Sequence, residues 1–213
     1  TSAVSGNSLS VESTVLTVTA NTSFNPQTLV KGGSLQKIGS FNLQAGAAES
    51  QTVTSVTTKL CLDDAATAFA VADCSTGLAA ADYTTQVAFV SNVELREGTT
   101  RLAPAANITT TAGATYSLQG FTIPANQTRV VDVYAVVSTS FNPGGTDRLG
   151  STVTINSSVG GQSQSSNAVA ERAGQSVTFS DAGTLAVSTL GTDGTINTNK
   201  VLHASESDVP LFK

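Results

Sequence analysis

The sequence predicts an all-β fold, an antiparallel β-sandwich, and three observations carry that expectation. Apolar and polar residues alternate over many short stretches, and the alternating residues are mostly Val, Thr, Leu, Ile and Phe, which suit a pleated, half-buried surface. Turn-forming groups fall between them: Asn25-Pro26, Lys31-Gly32-Gly33, Glu97-Gly98, Asn142-Pro143-Gly144-Gly145, Gly160-Gly161 and Asp193-Gly194. Charged residues are only 12% of the chain, too few for a coiled coil laced with ion pairs or for disorder driven by charge.

The elements follow in order. Leu9–Ala20 sets Val and Leu between Ser and Thr up to the Asn25-Pro26 turn. Gln36–Leu43 carries Ile38, Phe41 and Leu43, and Thr52–Leu60 places Val53, Val56 and Leu60 among hydroxyl residues. Asp63–Asp73 predicts a short helix, with Asp63 or Asp64 capping an Ala- and Phe-rich run. Strands resume at Gln86–Arg96, Thr115–Ile123, Thr128–Val137 and Ser151–Ser157. Asn167–Arg172, Ser176–Ser180 and Thr184–Ser188 complete the set, and many short strands with regular breaks indicate a sandwich.

The 213 residues fit one large β domain or two small ones. Ten basic against fifteen acidic side chains give a net charge of −5 with no Lys/Arg cluster, so a phosphate backbone finds no concentrated positive charge and nucleic acid is not expected as a partner. Uninterrupted apolar runs reach about five residues where a membrane-spanning helix needs about twenty, so no membrane span is expected. No charged-then-apolar leader precedes Thr1: either a signal segment has been removed or the chain begins inside a larger protein, and both allow export.

Cys61 and Cys74 have no His or further Cys nearby and cannot fill a four-ligand zinc site. A disulfide is the expectation and two free thiols the alternative. Closing so short a loop contributes roughly 3 kcal/mol by chain entropy, and an oxidising, extracellular setting follows if the bond exists.

Two internal repeats are more informative than any single motif. Thr22-Ser23-Phe24-Asn25-Pro26 recurs unchanged at Thr139–Pro143, each time after an alternating apolar segment, which reads first as two strand exits using the same turn. The second repeat concerns the ends. Leu16-Thr17-Val18-Thr19 corresponds to Leu185-Ala186-Val187-Ser188, Leu29-Val30 to Val201-Leu202, and Ile38-Gly39-Ser40-Phe41 to Val209-Pro210-Leu211-Phe212. The expected organisation is therefore a β-sandwich over 1–177 and a partial second copy over 178–213. Strands of such a copy cannot satisfy their backbone groups alone and need a host sheet: their own domain, a neighbouring identical chain, or the remainder of a tandem array.

At Val90-Ser91-Asn92-Val93-Glu94-Leu95-Arg96-Glu97-Gly98, at Tyr116–Phe121 and at Thr122-Ile123-Pro124-Ala125-Asn126-Gln127-Thr128, the sequence resembles the immunoglobulin-like modules repeated in bacterial cell-surface and surface-layer-type proteins. Gly183-Thr184-Leu185-Ala186-Val187-Ser188 is similar to their usual first strand. The resemblance covers about residues 86–213 with Ser8–Phe41. It implies an immunoglobulin-like β-sandwich with structural or adhesive duty and no catalytic residues to carry over. The Cys61–Cys74 insertion departs from that pattern and leaves an added function of its face open.

Catalytic chemistry has little to work with. His203 is the sole histidine, it lies in the partial copy between Leu202 and Ala204, and no Gly-x-Ser-x-Gly elbow or phosphate loop is present, so no enzyme is expected. Calcium prefers several oxygen ligands. Its weak candidates are Asp63 and Asp64, with Asp73 in the same loop, and Asp193 near Asn197 and Asn199, with solvated loop charges the better reading and no cofactor expected. The functional expectation is an extracellular structural subunit of a pilus-like filament or surface layer. Identical subunits are joined by β-strand donation, with Leu185, Val187, Val201, Leu202, Val209, Leu211 and Phe212 as interface residues. The alternative is an adhesin or carbohydrate-binding module that meets glycans or the cell envelope through loops around Asp63–Ala80.

Overall fold

Alternating segments become strands where their apolar set can be buried on one side. The computed structural model describes residues 15–63, 68–76, 87–108, 110–142 and 148–181. All belong to the first of the two units into which the chain divides, Thr1–Ala182 and Gly183–Lys213. The fold is all-β and built on two five-stranded sheets. The strands are β1 (Thr17–Ala20), β2 (Thr28–Val30), β3 (Gln36–Gln44), β4 (Gln51–Asp63), β5 (Val90–Glu97), β6 (Thr100–Arg101), β7 (Ala114–Ile123), β8 (Thr128–Val137), β9 (Arg148–Gly160) and β10 (Ser166–Ser180). One sheet runs β1-β3-β8-β5-β6 and the other β2-β10-β9-β4-β7. β2 lies parallel to β10, and the other ladders are antiparallel.

The inward side chains of both sheets form one core. Ile38, Phe41 and Leu43 of β3 meet Leu149, Val153 and Ile155 of β9, with each at most 1% exposed. Two glycines let the sheets approach. A Cβ at Gly174 would stand 2.7 Å from Phe41 Cζ, and one at Gly39 would collide with Ser151 Oγ. Tyr116 ties the sheets at the β7 side by donating its hydroxyl hydrogen to the Val93 carbonyl, 2.9 Å away.

The repeated pentapeptide is the same turn used twice. The Phe24 amide donates to the Asn21 carbonyl and the Ser23 amide to Asn21 Oδ1, while the Phe141 amide donates to the Ser138 carbonyl and the Ser140 amide to Ser138 Oγ. Each turn drives a Phe into the core at 8% and 0% exposure, and Phe141 meets Phe179 edge-on with centroids 5.3 Å apart. The Ile-Pro-Ala-Asn segment is also a turn. It joins β7 to β8 with Asn126 at φ 58°, a left-handed conformation that Asn tolerates better than most residues.

Three details differ from the expected pattern. The helix is Val71–Thr76 rather than Asp63–Asp73, because Asp63 closes β4 opposite Arg148 and the helix starts only after Phe69 has reached the sheet. Asn167–Arg172 and Ser176–Ser180 are one strand, β10, which absorbs the intervening residues as register shifts. The boundary expected at 177/178 therefore falls inside β10, whose Thr178, Phe179 and Ser180 pair with Thr28, Leu29 and Val30, and the first unit extends to Ala182. The expected strand Thr184–Ser188 and the start of Leu9–Ala20 lie outside the described residues.

Candidate assembly site

A strand at a sheet margin leaves one row of N–H and C=O groups without ladder partners, so the margins are where another strand can add or exchange. The margins are β1 and β6 in one sheet and β2 and β7 in the other. β7 is ten residues long and carries neither charge nor Pro. It is blunted by a register shift against β4 between Ser55/Ser117 and Val53/Phe121, with Gly120 at φ 68°. β1 and β2 are short, four and three residues, and each pairs with one neighbour.

The groove that β1 occupies selects its side chains. Thr17, Val18, Thr19 and Ala20 stand opposite Gln44, Leu43, Asn42 and Phe41. Leu16 and Val18 point inward at 1% and 4% exposure, whereas Thr17 and Thr19 face out. Alternate pockets for a Leu and a Val thus fix the register, since a one-residue slip would expose both. Beyond Ala20 the Asn21 amide donates to the Ser40 carbonyl, and Asn21 Nδ2 donates to Ser40 Oγ at 3.0 Å. Ser40 Oγ donates to Asp132 Oδ1 at 2.6 Å, Lys37 Nζ pairs with Asp132 Oδ2 at 3.1 Å, and Gln175 Nε2 of the facing sheet donates to the Asn21 carbonyl at 2.6 Å. This polar clamp holds the end of β1 against both sheets.

The ladders also place the two ends of the chain path. β1 enters beside Gln44, which pairs with Thr128 at the start of β8. The path leaves at Ser180, whose carbonyl accepts the Lys31 amide, next to Gly32, whose amide donates to Val137 at the end of β8. Entry and exit are therefore at opposite ends of the domain, separated by the length of β8, about 30 Å at 3.3 Å per residue. Lys31 Nζ pairs with Asp181 Oδ1 at 2.8 Å and pins the chain at the exit end.

The disulfide joins Cys61 in β4 to Cys74 in α1 (Val71–Thr76), with Cα atoms 5.1 Å apart. Cys61 is opposite Gly150 in the β4–β9 ladder, and the Phe69 ring lies where a Gly150 side chain would be. The loop thereby covers the outer face of the second sheet near the exit end. At the other end Glu49 Oε2 accepts the Gln162 and Ser163 amides, both at 2.8 Å, and Glu49 Oε1 accepts the Ser163 hydroxyl at 2.6 Å. Those three donors, Ser163's hydroxyl first, hold the Glu49 carboxyl below its ordinary value of 4.5. Glu97 is lowered likewise by its hydrogen-bonded Arg129 partner, whose guanidinium also donates to the Thr122 carbonyl and stacks over Phe121. Burial, and then the Glu94 charge, raise the Tyr116 phenol.

Of the residues singled out from sequence, the structure brings Cys61 and Cys74 together as a disulfide. Asp63 ends β4 and Asp73 lies in α1, while Asp64 and Asp193 lie outside the described residues, as do His203 and all seven expected interface residues, Leu185, Val187, Val201, Leu202, Val209, Leu211 and Phe212. Among the described residues no three His, Cys, Asp or Glu side chains gather into a metal-sized group, and no helix is long and apolar enough to cross a membrane. The clamp around Asn21 and Gln175 was not legible in sequence, because its members are 154 positions apart. No protein-family model, curated protein or solved structure matches the chain.

Proposed function

We propose that this chain is a non-catalytic structural subunit of an extracellular filament or surface layer, whose immunoglobulin-like sandwiches join end to end by β-strand donation. One observation carries the reading. Of the three segments whose sequence recurs in the tail, two, Leu16–Thr19 and Leu29–Val30, coincide with β1 and β2, the elements at the sheet margins, and the third, Ile38–Phe41, lies in β3 beside β1. The buried positions recur as Leu185 for Leu16 and Val187 for Val18, so the copy repeats the side chains that the groove selects.

Three further features support it. The opposite placement of entry and exit favours a linear, open arrangement over a closed ring. The orders β1-β3-β8-β5 and β10-β9-β4, with the parallel β2–β10 pair, favour an immunoglobulin-like fold, with β7 beside β4 as an added strand. The disulfide favours an oxidising compartment.

Removing residues 183–213 tests the reading while leaving β10 and its pairing with β2 intact. The truncated protein is expected to remain monomeric by light scattering and to form no rods or sheets by electron microscopy under conditions where the full chain assembles. Polymers of unchanged yield after truncation would refute it.

A further inference from the structure

Resting on that reading, we infer that the acceptor is the β1 groove along β3, and that its occupant is the Leu185–Ser188 segment of a second copy. In register, Ala186 takes the position of Thr17 opposite Gln44, while Leu185 and Val187 enter the pockets of Leu16 and Val18.

Geometry decides between the chain's own groove and a neighbour's. Asp181 is held to Lys31 at the exit end, whereas Leu16 lies at the entry end, beyond the Thr17–Gln44 pair. The four steps from Asp181 to Leu185 span at most about 14 Å when fully extended. The separation of the ends is about 30 Å. The tail therefore cannot fill its own groove while β10 stays paired with β2 through Ser180. β10 runs towards the exit end in the same sense in which β1 runs from the entry end, so a second copy stacked end to end can receive the tail without a chain reversal.

The clamp sets the competition for the groove. The resident strand ends in Asn21, whose side chain donates to Ser40 Oγ and accepts the Ser23 amide, whereas Leu190 is the corresponding residue in the copy and has neither capacity. Resident and incoming strands are matched in the two pockets and differ at the clamp. Asn21 thus favours the closed monomer and slows exchange.

A staple tests the groove without disturbing the fold. Thr17 and Gln44 are exposed cross-strand neighbours, so Thr17→Cys with Gln44→Cys can lock β1 in place by a disulfide. The oxidised double variant is expected to lose assembly and to regain it on reduction, with the wild-type chain in the same reductant as control. Separately, Asn21→Leu is expected to raise the assembly rate about tenfold, the equivalent of losing about one net hydrogen bond of the resident strand. A third variant, Ala186→Cys with Gln44→Cys, is expected to give covalent oligomer ladders when oxidised in the assembled state. If the stapled protein assembles like wild type, or if oligomers form and the Ala186–Gln44 pair does not cross-link, the groove is wrong and donation elsewhere survives. If the wild-type chain does not assemble at all, the groove and the functional reading fall together.

Discussion

Removing the Cys61–Cys74 disulfide is expected to weaken the domain by about 3 kcal/mol. The bond closes a loop of sequence separation 13. The chain-entropy relation for a loop of that size gives about 10 cal/mol/K, or about 3 kcal/mol at 25 °C. For a domain of this length that corresponds to a fall of roughly 6–12 °C in Tm. Two routes to the open form separate entropy from packing. Reduction of the wild-type protein breaks the bond with every atom of the buried Cys61 retained, whereas Cys61→Ala with Cys74→Ala also empties the space of a sulfur at a site 1% exposed. Thermal or urea unfolding followed by circular dichroism should place the reduced protein about 3 kcal/mol below the oxidised one and the double variant lower still, by about 1 kcal/mol of lost packing. The Phe69 ring on Gly150 couples the loop to the sheet. Gly150→Ala expels the ring, so its effect should be smaller in the reduced protein than in the oxidised one, a non-additivity expected of sites in contact. If reduction and the double variant both leave the midpoint within about 1 kcal/mol of the oxidised wild type, the loop is not coupled to the unfolding of the sheet and the reasoning fails.

Glu49 and Glu97 have carboxyls lowered in the folded state, so their contribution is complete above the ordinary value of 4.5 and is lost as pH falls through the folded-state values. Melting curves between pH 6 and about pH 3 should show a shallower acid decline for Glu49→Gln than for wild type, and equal slopes would remove Glu49 from that role. Ser151 Oγ is buried without a partner and faces Gly39. Ser151→Ala is therefore expected to be neutral or stabilising by up to about 1 kcal/mol, whereas Gly39→Ala should cost about 1–3 kcal/mol by pushing the sheets apart, as denaturant titration can measure. Tyr116→Phe removes one of the two donors to the buried Val93 carbonyl, which keeps the Ala106 amide, and should cost about 1 kcal/mol in the same titration. In the wild type, ultraviolet titration should find this phenol still protonated above its ordinary value of 10.0.

The strands that sequence reveals are those whose burial alternates over many residues. Thr128–Val137 is β8 to the residue, since Val131, Val133, Ala135 and Val137 all enter the core. β2 and β6 are three and two residues long and show no period, so only their neighbours β10 and β5 create them. In sequence β10 looks like two strands because its Ala173-Gly174-Gln175 stretch breaks the alternation, and pairing with β9 carries it through as a register shift. The helix was displaced because acidic residues before an Ala-rich run satisfy a capping pattern locally, while pairing of Asp63 with Arg148 is set by a strand 85 positions away. The same contrast applies to the assembly site. Duplication of Leu16–Thr19 is visible in one dimension. That β1 is marginal, that the path ends at the opposite end, and that Asn21 is clamped by Gln175 depend on pairings between distant segments.

Entry and exit at opposite ends also determine how the domain bears tension. Pulling on the chain along its path draws β1 and β10 lengthwise past their neighbours, at right angles to the ladder hydrogen bonds, so these bonds resist together in shear instead of peeling one at a time. The fifteen residues of β10 are paired with β9 and in part with β2, whereas β1 has ladder pairing over four residues with β3 alone. The first element to slip under force is therefore β1, and the Asn21 clamp at its inner end sets the yield point.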